Sequence, residues 1–257
     1  MLELNSPDWA AYRHAYGEAS DIPALFARLR AATPGEWDEV NAELTNAVMH
    51  QGDVYTATYA IAPHLLQYAE ELGPGKQSDE LLFTIAYASR GGPGPDVPEA
   101  LEEAWEDAQD DARDLILERL LRAEISEEYT GKLIAGLLFL SGEWSAGSAV
   151  NNWCWGYAMV AHCESCKTKK EVFWHKGAAT CVTPENTFEA VVIEQAASDA
   201  IPLDEDLEFD DDQLPPQIIS LAVASGHPAV ERQIRSLFGT VRCDKCGSRL
   251  PLSPRDE

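Results

Sequence analysis

Basic residues are scarce in this chain. Of 257 residues only 19 are lysine or arginine, against 44 aspartate or glutamate, for a formal charge of −25. Residues 177 to 230 contain no lysine or arginine at all. That balance makes non-specific attraction to nucleic acid or to an anionic membrane unfavourable, and makes a basic protein the more natural partner. Long apolar runs are also missing: no stretch approaches the roughly 20 residues of a membrane-spanning helix. The start, Met1-Leu2-Glu3-Leu4-Asn5, lacks the basic and apolar regions of a secretory signal, so the expected location is the cytoplasm. No nucleophile and base stand at a spacing that forces them together, which argues against an enzyme.

What is present over the first 141 residues is helical rhythm without strand-like alternation. Asp21 is placed to cap a helix opening on Ile22-Pro23, with Leu25, Phe26 and Leu29 on one face. Val40, Leu44, Ala47 and Val48 form a second stripe, and His50-Gln51-Gly52-Asp53 breaks it. A third stripe runs from Tyr55 to Leu72, where Pro63 is expected to kink the helix or mark its start. Leu81 to Ala86 make a fourth, and Gly91-Gly92-Pro93-Gly94-Pro95 is the strongest breaker in the chain. Leu101, Trp105, Ala108, Ala112 and Ile116 then mark a long helix whose other face carries Glu102, Glu103, Glu106, Asp107, Asp110 and Asp111. Ser126 opens one more helix through Leu140. Successive helices with short breaks predict antiparallel pairs stacked as an α-solenoid, in which each pair covers its neighbour's apolar face.

The set His14-Ala15-Tyr16-Gly17, Asp21-Ile22-Pro23-Ala24-Leu25 and His50-Gln51-Gly52-Asp53-Val54-Tyr55, followed by Ala57-Thr58 and Ala62-Pro63, resembles the recurrent opening of a family of bacterial HEAT-like repeat proteins. The resemblance covers about the first third of the chain. It implies a scaffold with no fixed reaction, and some proteins of this general type are immunity or interaction proteins. His14, Tyr16, His50 and Tyr55 are expected near helix ends, bonded to free backbone groups rather than engaged in chemistry.

Near residue 160 the pattern changes. The six cysteines are Cys154, Cys163, Cys166, Cys181, Cys243 and Cys246. Four of them form two C-x-x-C pairs, Cys163 with Cys166 and Cys243 with Cys246, each framed by strand formers as in a hairpin tip. Two intervening residues let both sulfurs of a pair face one ion, and Gly247 permits the tight turn. Together the pairs make a four-thiolate structural zinc site, similar to a zinc ribbon split by a long insertion. A thioredoxin-like motif would need a βαβ context. A zinc deaminase reading through His162-Cys163-Glu164 leaves Cys166 idle and has Arg242 where proline is expected. Cys154 and Cys181 read as buried thiols.

The expected organisation is therefore mainly α, with HEAT-like repeats over residues 1–150 and a zinc-ribbon-like module over 151–257. That module carries an acidic insertion at 184–214 and a terminal helical pair at 215–239. In the insertion, Asp204, Glu205, Asp206, Leu207, Glu208, Phe209, Asp210, Asp211 and Asp212 read either as a solvated loop or as an arm, with Leu207 and Phe209 anchoring on a basic partner. The functional expectation is a non-catalytic protein-binding scaffold of the immunity or inhibitor kind, directed at a toxin or another basic protein. The alternatives are a structural adaptor and a nucleic-acid-acting factor or enzyme using Lys167, Lys169, Lys170, Phe173, Trp174, His175 and Lys176.

Overall fold

The computed structural model describes residues 1–90, 95–182, 188–194, 199–203 and 207–254. The described chain is mainly helical with small antiparallel sheets. It forms two compact units, Met1–Ile116 and Leu117–Glu257. Sequence reasoning draws its line at residue 150, whereas the units part inside the long acidic helix.

In the first unit the apolar stripes become helices α1 (Ile22–Ala31), α2 (Trp37–Val48), α3 (Thr56–Leu72), α4 (Lys76–Ala88) and the greater part of α5 (Glu99–Leu121). α1 packs on α2, and α3 on α4. Ile22, Phe26 and Leu29 face Trp37, Leu44 and Val48 in a core that excludes water, and all six are at most 1% exposed. Burial of each such side chain stabilises by about 1.5–3 kcal/mol before entropy is counted. α3 begins at Thr56 and runs unbroken through Pro63, so the proline is not its start. The breaker Gly91–Pro95 joins α4 to α5, with residues 91–94 outside the described residues.

Two short hairpins were not expected. β1 (Arg13–His14) pairs with β2 (Gly17–Glu18), and β3 (Met49–His50) pairs with β4 (Asp53–Val54), each just ahead of a helical pair. The second closes over Gln51 and Gly52, both at positive φ, as a two-residue hairpin turn requires. Thr58, 1% exposed, ties this turn to α3: its hydroxyl accepts the Tyr55 N–H and donates to the Val48 carbonyl.

In the second unit α6 (Glu127–Leu140), α7 (Trp144–Cys154), α8 (Leu214–Ala224) and α9 (Pro228–Leu237) pack together. α6 lies at the centre and is buried on nearly every face, from Tyr129 to Phe139. α7 was not expected, because Ser145, Gly147, Ser148, Asn151 and Asn152 are poor helix formers. Packing overrides propensity here: a Cβ at Gly147 would lie 2.7 Å from the Phe139 ring, and one at Gly131 would lie 2.4 Å from the Cys154 sulfur. The glycines thus let α6 and α7 approach closely. Trp153 then fastens α7 to α9, donating its indole N–H to the Gln233 carbonyl at 2.7 Å.

Against these helices lies an antiparallel five-stranded sheet in the order β11-β5-β6-β7-β8. Its strands are β5 (Met159–Cys163), β6 (Thr168–His175), β7 (Ala178–Val182), β8 (Phe188–Ala190) and β11 (Ser253–Pro254). A separate hairpin pairs β9 (Thr240–Arg242) with β10 (Arg249–Pro251). Part of the stretch expected as an insertion is therefore sheet: β8 follows β7, and Glu194 forms an antiparallel bridge with Thr240.

Candidate metal centre

The first cysteine pair sits where β5 turns into β6. Cys163 is the last residue of β5 and stands opposite Thr168, and Lys167 takes a left-handed φ of 52° to close the tip. The second pair occupies the turn between β9 and β10. There Cys243 N–H donates to the Ser248 carbonyl at 2.9 Å, Gly247 N–H donates to the Cys243 carbonyl at 2.8 Å, and Gly247 has φ +73°. Gly247 plays the part expected of it.

Folding brings these tips together across 76 intervening residues. All four sulfurs lie within 4.8 Å of one another, and Cys163 Sγ is 3.6 Å from Cys246 Sγ. A tetrahedral ion with bonds of about 2.3 Å needs sulfurs roughly 3.8 Å apart. The cluster is built to that scale and can hold a metal ion, and an ion taking all four sulfurs has no position left for water.

The surroundings favour thiolate on the second turn. The Thr168 hydroxyl, 3.6 Å from Cys243 Sγ, with the amides of Cys246 and Lys245, brings the Cys243 thiol down to about 6. Ser248, 3.2 Å from Cys246 Sγ, lowers Cys246 through its hydroxyl and then its amide. Cys166 is pushed up to about 12, first by its hydrogen bond to Cys246 and then by burial. Four sulfurs in mutual contact cannot all carry charge without a cation, so protons are shared among them and uptake of an ion must expel protons.

One ion pair joins the two turns, and others neutralise cations beside them. Lys170 reaches across to Asp244 at 2.9 Å, Lys169 pairs with Glu171 at 3.3 Å, and Lys167 with Glu164 at 2.8 Å. Arg242 and Arg249 stand directly opposite each other on β9 and β10, and the Glu194 carboxylate bridges them at 2.7 and 2.6 Å. A groove of about 610 Å³ beside the cluster is lined by Thr168, Lys170, Cys181, Glu189, Cys243 and Asp244 among others, a mixed-charge wall.

The remaining residues singled out in the sequence fall elsewhere. Cys154 has its sulfur against Gly131 of α6, and burial pushes its thiol up to about 12. Cys181 is half-buried on β7. His14 uses both ring nitrogens, Nδ1 accepting the Tyr16 N–H at 3.3 Å and Nε2 facing Asp21 at 3.3 Å. Asp21 occupies the cap position of α1 but makes no side-chain cap bond; its carboxylate serves the histidine instead. In the acidic segment, Asp204, Glu205 and Asp206 lie outside the described residues. Leu207 is 5% exposed, so its side chain is buried within the chain and is not presented as an anchor. Gln217, 6% exposed, pins the segment to α8, donating to the Glu208 carbonyl at 2.8 Å and accepting the Asp210 N–H at 3.1 Å. Phe209 is half-buried, and Glu208, Asp210, Asp211 and Asp212 are exposed. Glu194 was missed by sequence reasoning: a lone glutamate carries no local signal for two arginines 48 and 55 residues further on.

Compared with models of known protein families, with curated proteins and with solved structures, the chain matches none.

Proposed function

We propose that this protein is a non-catalytic binding scaffold of the immunity or inhibitor kind. In this reading a zinc ion held by Cys163, Cys166, Cys243 and Cys246 fastens its second unit, and its first unit is a HEAT-like helical repeat. The observation that carries the reading is the convergence of four sulfurs from two distant turns within 4.8 Å. A donor set complete in itself suits an ion that stabilises and does not react. All-sulfur ligation favours zinc or iron over hard cations. Purified protein with one equivalent of zinc and no visible colour supports zinc; a red, iron-bearing protein refutes it.

The partner in this reading is a basic protein, met by the exposed acidic face of α5. Glu102, Glu103, Glu106, Asp107, Asp110 and Asp111 are all exposed, and a one-signed surface of this kind speeds encounter with the opposite charge. The acid partners of Lys167, Lys169 and Lys170 favour this reading over nucleic-acid binding. Affinity capture at low salt is expected to recover a basic protein that is lost in high salt and lost with E103K/D107K/D110K. Recovery of no such partner, or capture indifferent to both changes, refutes the assignment.

A further inference from the structure

We infer that Cys246 is an oxidant-reactive thiolate and Cys163 its resolving partner, so that a hydroperoxide exchanges the metal for a disulfide joining the two turns. The inference rests on the metal-binding reading above and adds a regulation to the same site. Three observations support it. The four sulfurs differ in access: Cys163 and Cys243 are buried, Cys166 is intermediate, and Cys246 alone is exposed. Cys246 is therefore the thiolate a dissolved oxidant meets first. A sulfur stands 3.6 Å from it, that of Cys163 on the other turn. Finally, the two turns are held in register independently of the ion, by Lys170 with Asp244 and by β11 on β5, so loss of the metal does not at once separate the two sulfurs.

The chemistry balances in two steps. The Cys246 thiolate attacks one oxygen of the hydroperoxide; the O–O bond breaks, an S–O bond forms, and the other oxygen leaves with a proton as alcohol or water. Sulfur is thereby oxidised by two electrons to a sulfenic acid and the peroxide is reduced. The Cys163 thiolate then attacks that sulfur and expels hydroxide, which takes a proton to become water, leaving a Cys163–Cys246 disulfide. An ion that has lost two of four ligands leaves the site. The new bond spans the same 83 residues that the metal spanned, so the turns stay joined after the ion has gone.

The test treats the metal-loaded full chain with hydrogen peroxide, reads released metal with a chelating dye, and maps disulfides by mass spectrometry of an unreduced tryptic digest. Cleavage after Lys245 separates Cys243 from Cys246, and a second digestion that cuts after Glu164 separates Cys163 from Cys166, so the linkages are distinguishable. Metal release is expected to rise in step with the Cys163–Cys246 peptide pair. The Cys166→Ala variant, which keeps both reacting sulfurs, is expected to give the same linkage. A product dominated by Cys166–Cys246, Cys163–Cys166 or Cys243–Cys246 overturns the inference, as does a Cys246 that remains fully alkylatable after the metal has left. Untreated protein lacking metal sinks the binding reading by elemental analysis alone, while the thiol map of that same sample still decides whether Cys246 and Cys163 pair.

Discussion

At the scale of single residues, much of the specificity comes from side chains whose partners lie far along the chain. Arg242 and Arg249, opposite each other on adjacent strands, would repel without a shared carboxylate, and Glu194 supplies it. Glu194→Ala is expected to cost about 1 kcal/mol, read as a lowered thermal midpoint whose penalty shrinks in high salt. His64 offers a second test. It is 7% exposed and hydrogen-bonds the Leu2 carbonyl at 2.7 Å, and burial holds its pKa below the ordinary value near 6.5. The unfolded chain therefore binds the proton more readily. This contribution to stability is whole above about pH 6.5 and is lost as pH falls through the depressed value. Unfolding midpoints measured from pH 7.5 to 5 should fall more steeply for the native protein than for His64→Gln.

At the scale of elements, the helices of the first unit were legible because Leu25, Phe26 and Leu29, or Leu101, Trp105 and Ala108, recur at helical spacing and are buried together. The two cysteine turns were legible because C-x-x-C needs only local geometry. Strands of two residues, such as Arg13–His14 and Asp53–Val54, have no room for alternation, so His50-Gln51-Gly52-Asp53 read only as a helix breaker and not as a hairpin. α7 was illegible for a different reason: its stability lies in contacts made by Gly147, Val150 and Trp153, all buried, and not in local preference. Gly147→Ala puts a methyl group 2.7 Å from Phe139 and 3.1 Å from the Ala135 carbonyl. It is expected to destabilise the protein by about 1–3 kcal/mol, measurable by denaturant unfolding.

At the scale of the molecule, no helix among the described residues is long and apolar enough to cross a membrane. The division at Ile116 and Leu117 was not visible in the sequence, since α5 runs through it without a break in rhythm. All four cysteines of the cluster belong to the second unit. On the metal-binding reading, a strong chelator is accordingly expected to speed amide hydrogen exchange in β5, β6, β9 and β10 while leaving α1 to α4 protected. Uniform loss of protection across both units would contradict this.

The separation of the two turns along the chain also imposes an order of assembly. A growing polypeptide presents Cys163 and Cys166 as a bare dithiol long before Cys243 and Cys246 are made, and half a ligand set grips an ion weakly. Closing so long a loop is entropically costly until α8 and α9 have seated on α6 and carried the second turn into place. On the metal-binding reading, metallation is thus the last event of folding, and defects in helix docking will masquerade as defects in metal affinity. Ile234, fully buried on α9 and not itself a ligand, is the position to try: Ile234→Asp should yield protein with less than one equivalent of metal although every ligand is intact, as elemental analysis of the soluble fraction will show.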